Sequence, residues 1–180
     1  NYEASKDYKK SQSYISWGGM LSRCYSEQFL ERTPSYKDVY VYDEWHNFQN
    51  FAKWHEENWK DHMDSSWDLD KDILFKGNKV YSPETCCFVP QEINKLFCKS
   101  NSIRGKYPTG VKKVGKRFEA RLYIKNNPIH LGTFDTPEEA FKAYKIAKEV
   151  YIKKVADEWR PLIKPRVYDA MYNYQVEITD

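Results

Sequence analysis

The feature that most constrains the fold is an alternating strand pattern that runs directly into a capped helix between Gly110 and Tyr151. Apolar and polar side chains alternate along residues 116–124, which is typical of a strand with one buried face. Pleating then places Phe118, Ala120 and Leu122 on one face and Arg117, Glu119, Arg121 and Tyr123 on the other. One face of this strand is therefore expected to be buried and the other exposed.

A helix is predicted directly after the strands. Thr136 can act as its N-cap, Pro137 suits its first turn, and Glu139 completes a capping box. Apolar side chains then recur at helical spacing, at Ala140, Ala143, Ala147, Val150 and Tyr151. These patterns predict a three-stranded antiparallel sheet with one helix across its back and a free front face.

Charge indicates what the free face contacts. Between Lys99 and Phe134 the sequence contains nine Lys or Arg and one acid, Glu119, whereas the whole chain has a net charge of only +3. Basic charge this concentrated favours a polyanionic partner, and a DNA major groove admits a two-stranded ribbon or a sheet edge. The alternative is an ordinary solvated surface.

This segment resembles the AP2 DNA-binding domain. The resemblance is carried by Gly110-Val111, Phe118, Ala120, Leu122, residues 131–136, Glu138-Glu139-Ala140 and Ala143-Tyr144. It implies base and phosphate contacts from the free face, at Thr109, Lys112, Val114, Glu119, Arg121, Tyr123 and His130, with Lys113, Lys116 and Arg117 beside them. Val114 stands where the plant family usually has Arg, and His130 where it has Trp, so the plant recognition sequence does not transfer.

A second motif precedes the basic segment. Residues 69–74 and 86–89 are apolar strand patterns, Gly77-Asn78 supplies a turn between them, and Pro90 suits the first turn of a helix ending near Cys98. A strand–loop–strand–helix unit with an Asp on its first strand and an Asn on its helix can bind one divalent cation through oxygen ligands.

This second motif, over roughly residues 67–98, resembles the HNH endonuclease family, in particular phage homing endonucleases that join such a nuclease to a DNA-binding module. The matching elements are Asp70-Lys71, Gly77-Asn78-Lys79, residues 83–86 and Asn94. The resemblance implies a ββα-metal unit in which Mg²⁺ or Mn²⁺ is held by Asp70 and Asn94. It implies a catalytic set of Asp70, Lys71, Asp72, Asn78 and Asn94.

Lys71 departs from the family, because it occupies the place of the histidine that activates water. A neutral imidazole is a competent base near pH 7, whereas an ammonium group has a pKa of about 10.4. Three routes stay open: metal-bound water ionised without a protein base, Asp72 as the base, or a histidine brought in by folding. Lys71 could instead stabilise charge developing on the phosphate. A purely structural hairpin is also open. The candidate histidines are His46, His55 and His62.

Flanking elements are read from periodicity. Residues 13–25 predict a helix with Ile15, Trp17, Leu21 and Cys24 on its apolar side, and residues 38–42 alternate like a strand. Asp43 is expected to cap a helix that ends near Trp59. That helix is expected to bury Trp45, Phe48, Phe51, Ala52 and Trp54. The Tyr-rich tail to Asp180 is either a short helix or a packing strap.

The predicted class is therefore α+β, with five segments. They are a flexible N-terminus at 1–12, an HNH-like nuclease domain at 13–98, a basic linker at 99–106, an AP2-like DNA-binding domain at 107–160 and a C-terminal extension at 161–180. Cys24, Cys86, Cys87 and Cys98 lack paired C-x-x-C spacing, so no structural zinc is expected. No membrane span is expected, and the chain reads as an intracellular, cytoplasmic protein, encoded by a phage in a bacterial host if the resemblance holds.

The function predicted first is sequence-directed binding of double-stranded DNA with metal-dependent cleavage of a phosphodiester, of the homing-endonuclease type. One metal site per chain favours nicking by a monomer or weak dimer. The alternative is a catalytically degenerate HNH scaffold that acts as a non-enzymatic DNA-binding protein, which Lys71 favours. A third possibility is an interaction protein that uses the acidic residues between Asp61 and Asp72 against a basic partner.

Overall fold

The computed structural model describes residues 1–6, 9–98 and 106–178, and the chain divides into two compact units, Asn1–Lys95 and Leu96–Asp180. The mixed α+β class predicted from the sequence is confirmed. Residues 99–105 of the predicted linker lie outside the described residues, as do positions 7, 8, 179 and 180 of the predicted terminal segments.

Unit 1 is assembled from short strands around two main helices. The helix predicted at residues 13–25 is confirmed, and it begins where the Ser11 hydroxyl accepts a hydrogen bond from the Tyr14 N–H. Its predicted apolar side is wrong at Ile15, which is exposed, and Met20 is buried with Cys24. Ahead of it, in the segment predicted as a flexible N-terminus, two short strands pair in antiparallel fashion. The elements are β1 (Ser5–Lys6), β2 (Lys9–Lys10), α1 (Gln12–Tyr25), α2 (Glu27–Arg32), β3 (Tyr40–Val41), α3 (Phe48–Asn58), β4 (Trp67–Asp70), β5 (Val80–Tyr81), β6 (Cys87–Pro90) and α4 (Gln91–Phe97), whose last residues belong to unit 2.

The single helix predicted from Asp43 to about Trp59 is wrong at its start. A 3₁₀ turn, Asp43–His46, comes first, and α3 begins only after Asn47, whose side chain accepts a hydrogen bond of 2.9 Å from the Gln49 N–H. Asn47 therefore caps α3 in the place predicted for Asp43, because either residue type satisfies the free N–H groups of a first helical turn.

The aromatic core predicted for this region is mostly confirmed. Trp45, Phe51, Ala52 and Trp54 are buried, and the Trp45 and Trp54 rings lie 4.7 Å apart between centroids. Phe48 is only half-buried, since it lies in the first turn of α3 rather than in the middle of a longer helix.

The predicted strand–loop–strand–helix unit is present. Strands β4 and β6 pair in antiparallel register, with Asp70 opposite Cys87, and α4 follows β6 directly. The first strand ends at Asp70, four residues before the predicted end. The intervening loop adds β5, which pairs in parallel with β3.

Unit 2 has the predicted three-stranded antiparallel sheet, in the order β7–β8–β9, packed against one long helix. A bulge interrupts the register of β9. Gly132 lies opposite Ala120 and His130 lies opposite Arg121, so Leu131 between them has no opposite residue on β8. The elements are β7 (Val111–Val114), β8 (Arg117–Ile124), β9 (Asn127–Phe134), α5 (Pro137–Trp159) and α6 (Pro165–Tyr172).

A glycine fixes the approach of this sheet to the helix. Gly110 has a φ of +77°, and a Cβ atom at this position would lie 2.1 Å from a ring carbon of Tyr144 on α5. Both the backbone conformation and the close contact require a residue without a side chain. Gly110 therefore sets where β7 begins relative to α5.

Helix α5 has the predicted capping box, in which Thr136 and Glu139 each bond the other's backbone N–H at 3.2 Å. Its predicted buried face is correct at Ala140 but wrong at Val150, which is 63% exposed. The buried face of α5 rotates around the helix axis along its length. Its buried residues are Ala140, Phe141, Tyr144, Ile152, Val155 and Ala156.

The C-terminal residues form both a short helix and a strap, the two alternatives left open by the sequence. Val167 and Met171 of α6 are buried, and so is Val176 beyond its end. The Val176 backbone carbonyl accepts from the Lys145 ammonium at 2.6 Å, and its N–H donates to Glu149 at 2.8 Å. These contacts attach the tail to α5. Among the described residues, no helix is long and apolar enough to cross a membrane.

Candidate functional site

The first candidate site is the face of the β7–β8–β9 sheet opposite α5, here called the front face. Register places Lys112, Glu119 and Thr133 side by side across the three strands. The next rows carry Arg121 opposite His130 and Tyr123 opposite Pro128. The strand alternation predicted for residues 117–123 is confirmed, since Ala120 and Leu122 are buried on the other face.

Glu119 lies at the centre of the front face, and its side chain is nearly buried by its partners. Its Oε1 atom lies 2.7 Å from the Arg121 Nε and 2.6 Å from the His130 Nδ1. Hydrogen bonding from Arg121 is the largest cause that holds the pKa of this carboxyl below its ordinary value. The same hydrogen bond is the largest cause that raises the pKa of Arg121, followed by one with Tyr123. Glu119, Arg121 and His130 therefore form one hydrogen-bonded cluster.

Arg117 occupies the end of the front face. Its Nε donates to Asp135 at 2.9 Å and its Nη2 to the Thr133 carbonyl at 3.0 Å. The Arg117 and Asp135 side chains are 54% and 80% exposed. An ion pair this exposed contributes little to stability, so the guanidinium can exchange its partner for a ligand.

The remaining predicted contact residues are dispersed. Val114 is on the front face opposite Arg117, and half of its side chain is exposed. Lys113 lies opposite Phe118, and therefore on the other face of the sheet. Lys116 is exposed in the turn between β7 and β8, and Thr109 is half-buried just before β7.

The second candidate site is the β4–β6 hairpin of unit 1, and Asp70 lies at the end of its first strand. The Asp70 Oδ1 accepts hydrogen bonds from the backbone N–H groups of Asp72, at 2.8 Å, and Ile73, at 2.7 Å. Burial is the largest cause that raises the pKa of this carboxyl above its ordinary value. As held here, Asp70 closes the turn that leaves β4.

Lys71 is buried, with 4% of its surface exposed, and its ammonium group bridges two parts of the loop. Its Nζ donates to the Asp72 carboxylate at 2.6 Å and to the Asn78 carbonyl at 2.8 Å. The same nitrogen lies 5.3 Å from the centre of the Tyr36 ring and 5.9 Å from that of Tyr81. Lys71 is therefore a buried cation that two hydrogen bonds and two aromatic rings stabilise.

Asn78 completes this loop from the other side. Its amide nitrogen donates to the Lys71 carbonyl at 2.9 Å and to the Val80 carbonyl at 2.6 Å, while its amide oxygen accepts from the Val80 N–H at 3.2 Å. Both ends of the side chain are therefore used to hold the backbone of residues 71–80.

Asn94 on α4 is brought next to Asp68 rather than being bonded to Asp70. Its amide nitrogen donates to Asp68 Oδ2 at 3.0 Å. Asp68 and Asp70 are two residues apart on β4 and so share a face of the hairpin. Asp68 was not predicted as a site residue, although this i, i+2 spacing was visible in the sequence.

The contacts of Asp70 and Asn94 leave the predicted divalent-ion site untested. One Asp70 oxygen bonds two backbone N–H groups, and the Asn94 amide bonds another carboxylate. Among the described residues, no group of three or more His, Cys, Asp or Glu side chains is placed to hold a metal ion. The cofactor prediction, Mg²⁺ or Mn²⁺, stays a prediction.

The three histidines considered as bases lie against aromatic rings. His46 is next to Tyr25, and His62 packs edge-on against Trp67. His55 is buried and stacked on Trp59, with no hydrogen-bond partner at Nε2, and burial lowers its pKa to about 4.

Tyr81, which lies beside Lys71, also contacts Arg23, a residue that the sequence pattern did not indicate. Arg23 of α1 donates from Nε to the Tyr81 hydroxyl at 2.9 Å, and its guanidinium lies 5.4 Å from the centre of that ring. The two residues are 58 positions apart, so no local pattern could join them.

No family model, curated protein or solved structure matches this chain.

Proposed function

We propose that the chain is a double-stranded DNA-binding protein that contacts the duplex through the front face, and that its nuclease-like hairpin serves as a structural scaffold. The observation that carries the proposal is the front face itself, an exposed antiparallel surface with Lys112, Arg117 and Arg121 on it and α5 confined to the other side. A surface of this kind fits a major groove.

The distribution of charge supports the same partner. Unit 2 contains 17 Lys or Arg against 10 Asp or Glu, whereas unit 1 contains 12 against 16. The positive charge of the chain is thus concentrated in the unit that presents the front face. Basic side chains on a surface attract phosphate and release counterions when they bind it.

The contacts of the hairpin favour scaffold over catalyst. Lys71 occupies the position of the family's general base, yet it is buried and bonded to Asp72 and Asn78. A group held in this way is not free to take a proton from water. Asp70 and Asn78 are likewise engaged in closing backbone turns.

Cleavage of the bound DNA is the second candidate. It is favoured by the carboxylates of Asp68 and Asp70 on one face of β4, with the Asn94 amide against the first of them. These are oxygen donors of the type that Mg²⁺ or Mn²⁺ prefers. The resemblance to phage homing endonucleases points the same way.

Fluorescence anisotropy of a labelled DNA duplex, recorded from low to high salt, tests the proposal. The slope of log affinity against log salt should be steep, and Lys112→Ala and Arg121→Ala should each weaken binding. Each phosphate contact that a substitution removes reduces the slope by about 0.9. The matched control is Lys154→Ala, which removes an exposed cation from α5, where Lys154 pairs with Glu158 at 3.8 Å.

The control should bind like the wild-type chain. A flat response to salt, or an equal loss of affinity in all three variants, would contradict the assignment of the front face.

A further inference from the structure

We propose that Glu119 is a positioning residue of the DNA-binding face, whose carboxylate fixes the side chains of Arg121 and His130 in one orientation for base readout. The inference rests on the proposed function and assigns a role within it. It departs from the expectation that Glu119 itself contacts DNA.

The first support is the geometry of the shared oxygen. The Oε1 atom of Glu119 accepts from Arg121 at 2.7 Å and lies 2.6 Å from His130 Nδ1. Only 10% of the Glu119 side chain is exposed, against 36% for Arg121 and 57% for His130. The carboxylate is therefore covered by the two side chains that extend beyond it, and it is these two that a ligand meets.

The second support is the bulge in β9, which brings His130 to the front face. In an uninterrupted register Arg121 would lie opposite Leu131, and His130 would lie opposite Leu122 on the buried face. The extra residue shifts His130 to the position opposite Arg121. Gly132, with a φ of +138°, supplies a backbone conformation that other residues rarely adopt. The Glu119 to His130 contact thus depends on a specific feature of the strand.

The third support is what the contacts leave available. With Nε of Arg121 bonded to Glu119, the donors that can reach a base are on its two terminal nitrogens. With Nδ1 of His130 bonded to the same oxygen, Nε2 is the ring nitrogen left for a base. Discrimination among base pairs requires donors and acceptors at fixed positions, whereas a mobile cation contributes affinity without specificity.

Replacing Glu119 by Gln distinguishes a carboxylate that positions Arg121 and His130 from one that only repels DNA phosphates. A carboxylate that only repels phosphate would, when replaced by Gln, leave the chain binding every duplex more tightly. A positioning carboxylate would instead leave binding to arbitrary DNA equal or tighter and weaken binding to the preferred duplex. The specificity ratio, the quotient of the two affinities, is the quantity that differs.

The experiment selects preferred duplexes with the wild-type chain from a random double-stranded library. It then measures anisotropy on the most enriched duplex and on a shuffled duplex of equal composition. In Glu119→Gln the specificity ratio should fall about fivefold or more, since one well-made pair of hydrogen bonds to a base discriminates by at least about that factor. The matched control, Glu158→Gln, removes an acid paired with Lys154 on α5 and should keep the wild-type ratio.

A double-mutant comparison gives the second readout. In a chain that already carries Arg121→Ala and His130→Ala, the change Glu119→Gln should leave the ratio unaltered, because no side chain remains to be positioned. Thermal unfolding of each variant separates loss of fold, which lowers both affinities, from loss of readout, which lowers one.

The outcomes are distinct for the two proposals. A wild-type chain that binds no DNA would overturn the proposed function and this inference together. A wild-type chain that binds but enriches no sequence would overturn the inference alone, and so would a Glu119→Gln chain whose affinity rises equally for both duplexes.

Discussion

Replacement of Lys71 by Met should destabilise unit 1 markedly, because the ammonium is the buried cation that joins the ends of the hairpin loop. The change keeps most of the aliphatic stem and removes the hydrogen bonds to Asp72 Oδ2 and the Asn78 carbonyl, at 2.6 and 2.8 Å. If Lys71 were instead poised in an open site for catalysis, its loss would leave stability nearly unchanged.

The size of the effect follows from the exposure of the two partners. Breaking a buried ion pair by removal of one member costs about 3–5 kcal/mol, and a buried carbonyl left without a donor costs about 1–3 kcal/mol. The Asp72 side chain is 41% exposed and regains water when its partner is lost, so the lower part of the first range applies. We expect the free energy of unfolding to fall by about 3 kcal/mol.

Urea denaturation followed by tryptophan fluorescence measures this change, because five of the six tryptophans lie in unit 1. With a slope of about 2 kcal/mol per molar, the midpoint should move by about 1.5 M. The control is Lys79→Met in the same loop, whose exposed side chain donates to the Ser35 carbonyl at 3.2 Å. A surface change of this kind should cost less than about 0.5 kcal/mol. Equal midpoints for the Lys71 variant and the wild-type chain would refute the reasoning.

Three further predictions concern the packing of each unit. Gly110→Ala should destabilise unit 2 by about 2–4 kcal/mol, through its positive φ and its contact with Tyr144, whereas Gly115→Ala, with a φ of +60° and open space around it, should lose only about 1 kcal/mol. Thr136→Ala removes half of the capping box and should cost about 1 kcal/mol in the melting of unit 2. Burial lowers the pKa of His55 to about 4 in the folded chain, below its ordinary 6.5. Folding is therefore favoured most by the neutral imidazole above pH 6.5, and the free energy of unfolding should fall by up to about 3 kcal/mol as the pH falls towards 4.

Each of these has a result that would contradict it. Equal losses for the two glycine variants would show that contact with the Tyr144 ring is unimportant. An unchanged melting temperature for the Thr136 variant would show that the capping box does not stabilise unit 2. For His55, the slope of stability between pH 6.5 and pH 4 should shrink in His55→Phe and persist in a variant of the exposed His46; a slope that survives in His55→Phe would assign it to other groups.

Local patterns predicted the elements of unit 2 because their determinants are close in sequence. The alternation of residues 116–124 and the reciprocal bonds of Thr136 and Glu139 each act within a few residues. The bulge at Leu131 was not predicted, since the register of β9 is decided by its partner strand rather than by its own sequence.

Tertiary partners account for what the sequence did not predict in unit 1. Lys71 could be identified as a departure from a catalytic pattern, but its burial depends on Tyr36 and Tyr81, which come from other elements. The start of α3 was misplaced because Asp43 and Asn47 are both good N-caps, and packing of Trp45 in the preceding turn decided between them.

Incubation of the wild-type chain with supercoiled plasmid, in EDTA, in Mg²⁺ and in Mn²⁺, with the bound fraction recorded in parallel, tests the central claim most directly. The account predicts salt-sensitive binding in all three conditions and plasmid that stays supercoiled. Nicked or linear product that requires the metal and vanishes in Asp70→Ala would contradict the scaffold role of the hairpin and establish a nuclease. Absence of binding in every condition would contradict the proposed function itself.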